Sequence, residues 1–182
     1  MGTRRHDPER RSRIVDATLD VIADVGVAGA SHRVIAERAD VPLGSMTYHF
    51  DGMDDLLHQA FSRFAERGVA RFHRVLSGAD DRDAARAAVV DLIHGTEADP
   101  NTDRDLVLTF ELYTLAARKP AFRQITRDWM AASRRELERH FTPDEARRVD
   151  ALIEGVSIHR SLDLDPPDVA FTRDAIAVNA PG

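Results

Sequence analysis

Between residues 31 and 50 the chain carries Ser31, Leu43, Ser45, Met46, Thr47 and Tyr48 at short spacing. Hydroxyls of this kind hydrogen-bond phosphate oxygens and base edges, and apolar groups of this size touch a thymine methyl. A second set is more dispersed. His94, Glu111 and Arg127 sit among apolar neighbours, on stretches that also hold Phe64, Phe110, Tyr113 and Trp129. Apolar walls with a few placed polar groups are the makings of a small-molecule pocket. Glu111 is the sharpest case, because an unpaired carboxylate in an apolar helix is costly. It calls for an internal cation, a histidine or a ligand donor. An internal salt bridge and a ligand contact are equal readings of it.

Other chemistries are missing from the sequence. There is no cysteine, which excludes disulfides, thiol catalysis and cysteine-bound metal. No Gly-x-Ser-x-Gly, Walker loop, dinucleotide fingerprint or His-Glu-x-x-His occurs. The eight histidines are scattered without triad spacing. The expectation is therefore no catalytic site, no metal and no cofactor. The chain opens on charge rather than an apolar run, and nothing approaches a membrane span in length. A cytoplasmic protein without a membrane partner is the expectation. The net charge is −6, yet residues 1–50 balance seven Arg against seven Asp and Glu. Only the tip, with Arg4, Arg5, Arg10, Arg11 and Arg13, is clearly basic, a weak footprint for nucleic-acid binding.

The elements that must position these groups are all helical. Ala, Arg, Asp and Leu dominate, aromatics are 6%, and strand-type alternation is scarce. The punctuation predicts about nine helices. The first runs over 8–25, capped by Asp7 with Pro8 at its first position, and leaves at Gly26. Short helices follow over 31–39 and 43–48, then a long one over 53–76 with Asp54 and Asp55 in its first turn. Helices over 83–97, 103–118, 120–141, 143–161 and 168–179 complete the chain. Asp99-Pro100-Asn101 marks a break, and Thr142-Pro143-Asp144-Glu145 is a capping box. The stretch 103–118 is apolar almost all round and belongs in the middle of a bundle. The two short helices, joined by a tight turn, have helix-turn-helix geometry. The second would present Leu43, Ser45, Met46, Thr47 and Tyr48 to a major groove, while Ser31 caps the first beside a phosphate site. The plainer reading is that Met46, Tyr48 and Phe50 fill a small core, and Phe50 is expected to pack under the first helix.

The stretch from Ile14 to Leu57 resembles the DNA-binding head of the tetracycline-repressor (TetR) family. The resemblance rests on the apolar stripe of the first helix, Gly26, Ser31, Ile35-Ala36, Val41, Gly44-Ser45, Tyr48-His49-Phe50 and Asp55-Leu56-Leu57. It implies an all-α chain with a three-helix helix-turn-helix head over 1–52 and a ligand-binding and dimerisation bundle over 53–182. It also implies DNA contacts from Ser31, His32, Arg33, Leu43, Ser45, Met46, Thr47, Tyr48 and His49, with Tyr48 and His49 on phosphate. Phe64, His94, Phe110, Glu111, Tyr113, Arg127 and Trp129 become the ligand-binding candidates. The implied function is that of a ligand-responsive regulator, usually a repressor. Its partners would be double-stranded operator DNA of palindromic sequence, a small-molecule effector and a second copy of the chain. The dimer would form through the last two helices, with the stripe Val149, Leu152, Ile153 and Val156 between copies or within one subunit. The effector would act by tilting the long fourth helix.

Four residues depart from the family pattern. Asp40 replaces a turn glycine, which its tolerance of left-handed backbone allows. Pro42 replaces a capping serine, Thr47 an aromatic and Met53 a phosphate-binding lysine. Fewer charged contacts predict a shallow salt dependence, unless Arg4 and Arg5 compensate. An enzyme is disfavoured by the missing motifs. A helical interaction protein with a degenerate head is a third reading, favoured slightly by the balanced charge of residues 1–50.

Overall fold

The computed structural model describes residues 9–97 and 103–181, which form nine helices and no strand. The expected contributions of Arg4, Arg5, Asp7 and Pro8, and the break at Asp99-Pro100-Asn101, lie outside the described residues. The first helix, α1 (Arg10–Gly29), buries Ile14, Val15, Thr18, Leu19, Val21 and Ile22 on one face. Its buried hydroxyl is satisfied by Thr18 Oγ1 donating to the Ile14 carbonyl at 2.8 Å. Gly26 interrupts the helix with φ 70° and ψ 172°, and the helix resumes for one more turn. Val25, beside the break, is exposed.

The short helices α2 (His32–Arg38) and α3 (Gly44–His49) follow. Ser31 caps α2, its Oγ accepting from the Val34 N–H. The turn after α2 is closed by two backbone bonds, Asp40 N–H to the Glu37 carbonyl and Val41 N–H to that of Ala36. This is a Schellman ending, which needs one left-handed residue. Asp40 takes that role at φ 51°, as its chemistry allows. No side chain caps α3, consistent with proline at position 42.

The long α4 (Gly52–Leu76) leads into α5 (Arg82–His94), α6 (Asp103–Arg118), α7 (Pro120–Leu137), α8 (Pro143–Leu162) and α9 (Val169–Asn179). The capping box at Thr142 and Glu145 is formed on both sides. The apolar side chains divide into two clusters. One joins α1–α4 to Leu108, Leu112 and Ala116 of α6 and Phe122 and Ile125 of α7. The other gathers Leu76 with buried residues of α5, the end of α7, α8 and α9. Val149, Ile153 and Val156 are buried in this second cluster, and Leu152 packs against it. The α8 stripe thus serves its own subunit, because α5, α7 and α9 cover it. The apolar groups left exposed at this end are Leu162, Leu164, Val169, Phe171 and Val178. Among the described residues no helix is long and apolar enough to cross a membrane.

Candidate nucleic-acid interface and ligand cavity

With only six residues, α3 can point few side chains inward. Met46 is fully buried and Ser45 nearly so, while Phe50 just beyond packs beneath Arg11 of α1. Ser45 and Met46 therefore cannot reach base edges in this arrangement, which corrects the expectation for both. They fall on the side turned toward α1 and α2. The outward side carries Leu43, Gly44, Thr47 and Tyr48, two pairs four residues apart. Leu43 is 55% exposed and Tyr48 82% exposed. Thr47 is exposed, and its Oγ1 donates to the Gly44 carbonyl. A β-carbon on Gly44 would meet nothing within 4 Å. His49 is half-buried, its ring edge-on to Tyr48 at 4.8 Å. At the start of α2, Ser31 and Arg33 are exposed, and His32 is half-buried with Nε2 shielded. The face thus offers apolar groups flanked by hydroxyls, a guanidinium and an imidazole.

A cavity of about 400 Å³ opens between α4, α6, α7 and α8. Phe64, Phe110 and Trp129 line it, as does Phe72. Phe64 and Trp129 meet edge to face at 5.5 Å. Gly68 makes room for the indole, since a β-carbon there would lie 3.0 Å from the Trp129 ring. Its polar lining combines Arg67, Arg71 and Arg74 of α4 and Arg104 and Asp105 of α6 with two carboxylates of α8. Asp150 and Glu154, one turn apart, both line the cavity. Asp150 accepts from Arg134 at 3.0 Å, and Glu154 from the Tyr113 hydroxyl at 2.7 Å. Burial pushes the Tyr113 phenol above its ordinary value, with Glu154 adding to the shift, so the hydroxyl stays a donor.

Four of the ligand candidates lie off this wall. Tyr113 stands behind it, near Trp129 and bonded to Glu154. His94 joins α5 to α9 through a 2.8 Å contact between Nε2 and Thr172 Oγ1. Burial, and then Arg160, lower its pKa. Arg127 is exposed on α7. Glu111 faces α1, where its Oε2 accepts the Val27 N–H at 3.2 Å. The break at Gly26 frees that N–H, and the carboxylate takes it. Neither an internal salt bridge nor a cavity contact describes Glu111; a backbone donor 84 residues away satisfies it. Asp150 and Glu154 escaped sequence reasoning because helix 143–162 was read for its apolar stripe. Their four-residue spacing beside Ile153 was the signal available.

A second tie joins α6 to α1, a 2.6 Å ion pair between Arg104 and Asp20. The same helix carries Leu106, Thr109 and Phe110 on the cavity wall. One rigid element thus touches the cavity on one side and grips the helix that supports α2 and α3 on the other.

Two family models match the chain. Bacterial regulatory proteins of the tetR family align with residues 14–60, and the tetracyclin repressor-like C-terminal domain with residues 80–178. The nicotine-responsive transcriptional repressor HdnoR of Paenarthrobacter nicotinovorans is 25% identical over 171 residues, 87% of each chain. Among solved structures, the transcriptional regulator SCO7518 of Streptomyces coelicolor A3(2) is 55% identical, with a TM-score of 0.88. The match covers 96% of this chain and 100% of that one. The multidrug binding protein EbrR, solved with ethidium, is 33% identical with a TM-score of 0.77, over 96% of this chain and 100% of its own. The chain belongs to the tetracycline-repressor family of bacterial regulators, non-enzymatic proteins that control transcription by binding DNA through a helix-turn-helix.

Proposed function

We propose that the protein is a ligand-responsive repressor that holds a palindromic operator as a homodimer and releases it when a small molecule fills the cavity. The observation that carries the reading is the outward face of α3. Leu43 and Tyr48 stand in solvent, where folding gives an apolar or aromatic group no reason to be. A major groove supplies the reason, with Leu43 and the Thr47 methyl toward bases and Tyr48 toward phosphate. Ser31, Arg33 and His49 then hold the flanking backbone.

Two copies are needed to span two half-sites about one helical turn, ~34 Å, apart. Leu162, Phe171 and Val178, exposed on α8 and α9, offer the self-complementary apolar patch for that pairing. HdnoR is named as nicotine-responsive, and EbrR is solved with ethidium and with proflavin, which supports an organic effector. Release follows from α4 and α6 together. Both line the cavity, and both pack on α1 beneath the reading helix. An effector that binds better when these helices are displaced shifts the population away from the DNA-competent state.

The decisive experiment is a mobility-shift titration on the DNA flanking the protein's own gene. Wild type is expected to bind as a dimer. Tyr48→Ala is expected to lose about ten- to a hundredfold in affinity while melting at the wild-type temperature. Wild-type affinity in that variant would remove the case for α3 as the reading element.

A further inference from the structure

Helix α5 ends in a turn whose polar groups reach three other helices. Gly95, at φ 74°, stops the helix. Leu92 and Ile93 just before it are buried, and buried carbonyls at a helix end need donors from elsewhere. Two guanidiniums supply them. Arg71 of α4 donates to the Leu92 carbonyl at 3.0 Å, and Arg160 of α8 donates to that of Ile93. Cations suit this end of a helix dipole. The next residue, His94, meets α9, with Nε2 2.8 Å from Thr172 Oγ1. The Thr172 proton goes to the Asp168 carbonyl at 3.0 Å, so the imidazole is the donor. Three consecutive residues of α5 thus hold α4, α8 and α9.

The first of these bonds lies on the cavity wall. Arg71 and Leu92 both line the space between α4, α6, α7 and α8. A molecule that fills the space therefore meets this pair directly. At the far side, α9 is fastened to α5 at both ends. Near the start of α5, Arg86 Nε donates to the Ala180 carbonyl just past α9, at 2.9 Å. At the other end, His94 holds the first turn of α9. Thr172, Ile176 and Ala180 are buried, while Val169, Phe171 and Val178 are exposed. Helix α9 cannot shift on α5 without parting one of these partly buried bonds. A movement of α5 is therefore a movement of the exposed face of α9.

We propose that α5 couples the cavity to the α9 face, so that a ligand which parts Arg71 from Leu92 also weakens the pairing of two copies of the chain. The route is a series: Arg71 on α4, the last turn of α5, then Thr172 on α9 beside Phe171. Arg160 carries the same turn to α8, where Leu162 is exposed. Coupling of this kind is reciprocal, so pairing of two copies also alters the cavity. The inference rests on the reading of the exposed α8 and α9 groups as the pairing surface, and it names how that surface is regulated.

Trp129, the only tryptophan, lines the cavity and serves as its reporter. The full chain is diluted through its dimer–monomer transition, followed by sedimentation and by Trp129 emission. The emission of wild type is expected to change over the concentrations at which dimers dissociate. Thr172→Val, which keeps the shape and removes the hydroxyl, is expected to dissociate with constant emission. Arg71→Met is expected to raise the dimer dissociation constant about tenfold, although it lies on the cavity wall. Combining it with Thr172→Val adds little, because a series once broken is not weakened further. Constant Trp129 emission through dissociation of wild type overturns the proposal, whether or not the variants fold. An unchanged dissociation constant in folded Arg71→Met overturns it too, as does a wild-type emission change in folded Thr172→Val. A chain that stays monomeric at every concentration refutes the pairing surface and the coupling with it, whereas a dimer indifferent to these changes refutes the coupling alone.

Discussion

Met46 is the residue whose two readings part most clearly. A methionine on a recognition helix can touch a thymine methyl, yet here it has no exposure at all. A six-residue helix spans less than two turns, so its sequence holds too little periodicity to tell the inward face from the outward. Burial by α1 and α2, which lie upstream in the chain, decides the matter. The expected result is that Met46→Ala lowers stability by about 2–4 kcal/mol in denaturant unfolding, while any loss of operator affinity tracks the loss of folded protein. Loss of affinity with unchanged stability would return Met46 to the DNA face. Asp40 shows the opposite outcome. It stands where the resemblance places a turn glycine, its type tolerates left-handed backbone, and the backbone has that turn. Local chemistry settles a turn; the facing of a short helix needs its neighbours.

Helix boundaries were legible wherever caps are local. Thr142 and Glu145 mark the start of α8, and Pro120 the start of α7, in sequence and structure alike. What the pattern could not give is which helix each polar group would meet. Glu111 was read as an isolated carboxylate, and its partner is a backbone N–H on α1. That bond and the Arg104–Asp20 pair make α6 a strut between cavity and head. Glu111→Ala removes one hold, and the expected effect is a protein that still binds effector but releases the operator less completely, read as a smaller effector-induced change in DNA affinity. A full wild-type response in a folded variant would show the strut to be dispensable. The α8 capping box carries a pH dependence of its own. Arg82 first, then the Thr142 N–H and hydroxyl, hold the Glu145 carboxylate down at about 2, well below its unfolded value near 4.5. A carboxylate lowered by folding stabilises above its unfolded pKa, and the contribution fades as pH falls from about 4.5 to about 2. Glu145→Gln is therefore expected to melt below wild type at neutral pH, with the gap closing over that acid range. A gap independent of pH would assign the loss to packing.

For the whole molecule, the all-helical plan was readable because each helix carries its own apolar stripe and its own breaks. The assignment of those stripes to partners was not. Val149, Ile153 and Val156 form a stripe that suits a dimer seam or a subunit core equally well, and α5 and α9 claim it. The exposed apolar groups sit instead near the chain's last turns, at Leu162, Phe171 and Val178. The cavity is spread over the folded chain in the same way. Phe64 comes from α4, Trp129 from α7 and the carboxylates Asp150 and Glu154 from α8, so no window of sequence contains it.

The first hydrophobic cluster has one more implication. The floor under Ile14, Ile22, Met46 and Phe61 is laid by Leu108, Leu112 and Phe122, far along the chain. A reading head grafted from this protein onto a foreign sensor would arrive without that floor. Swapping specificity between such regulators should therefore succeed when only the outward residues of α3 are exchanged, and fail when the chain is cut and spliced after position 52.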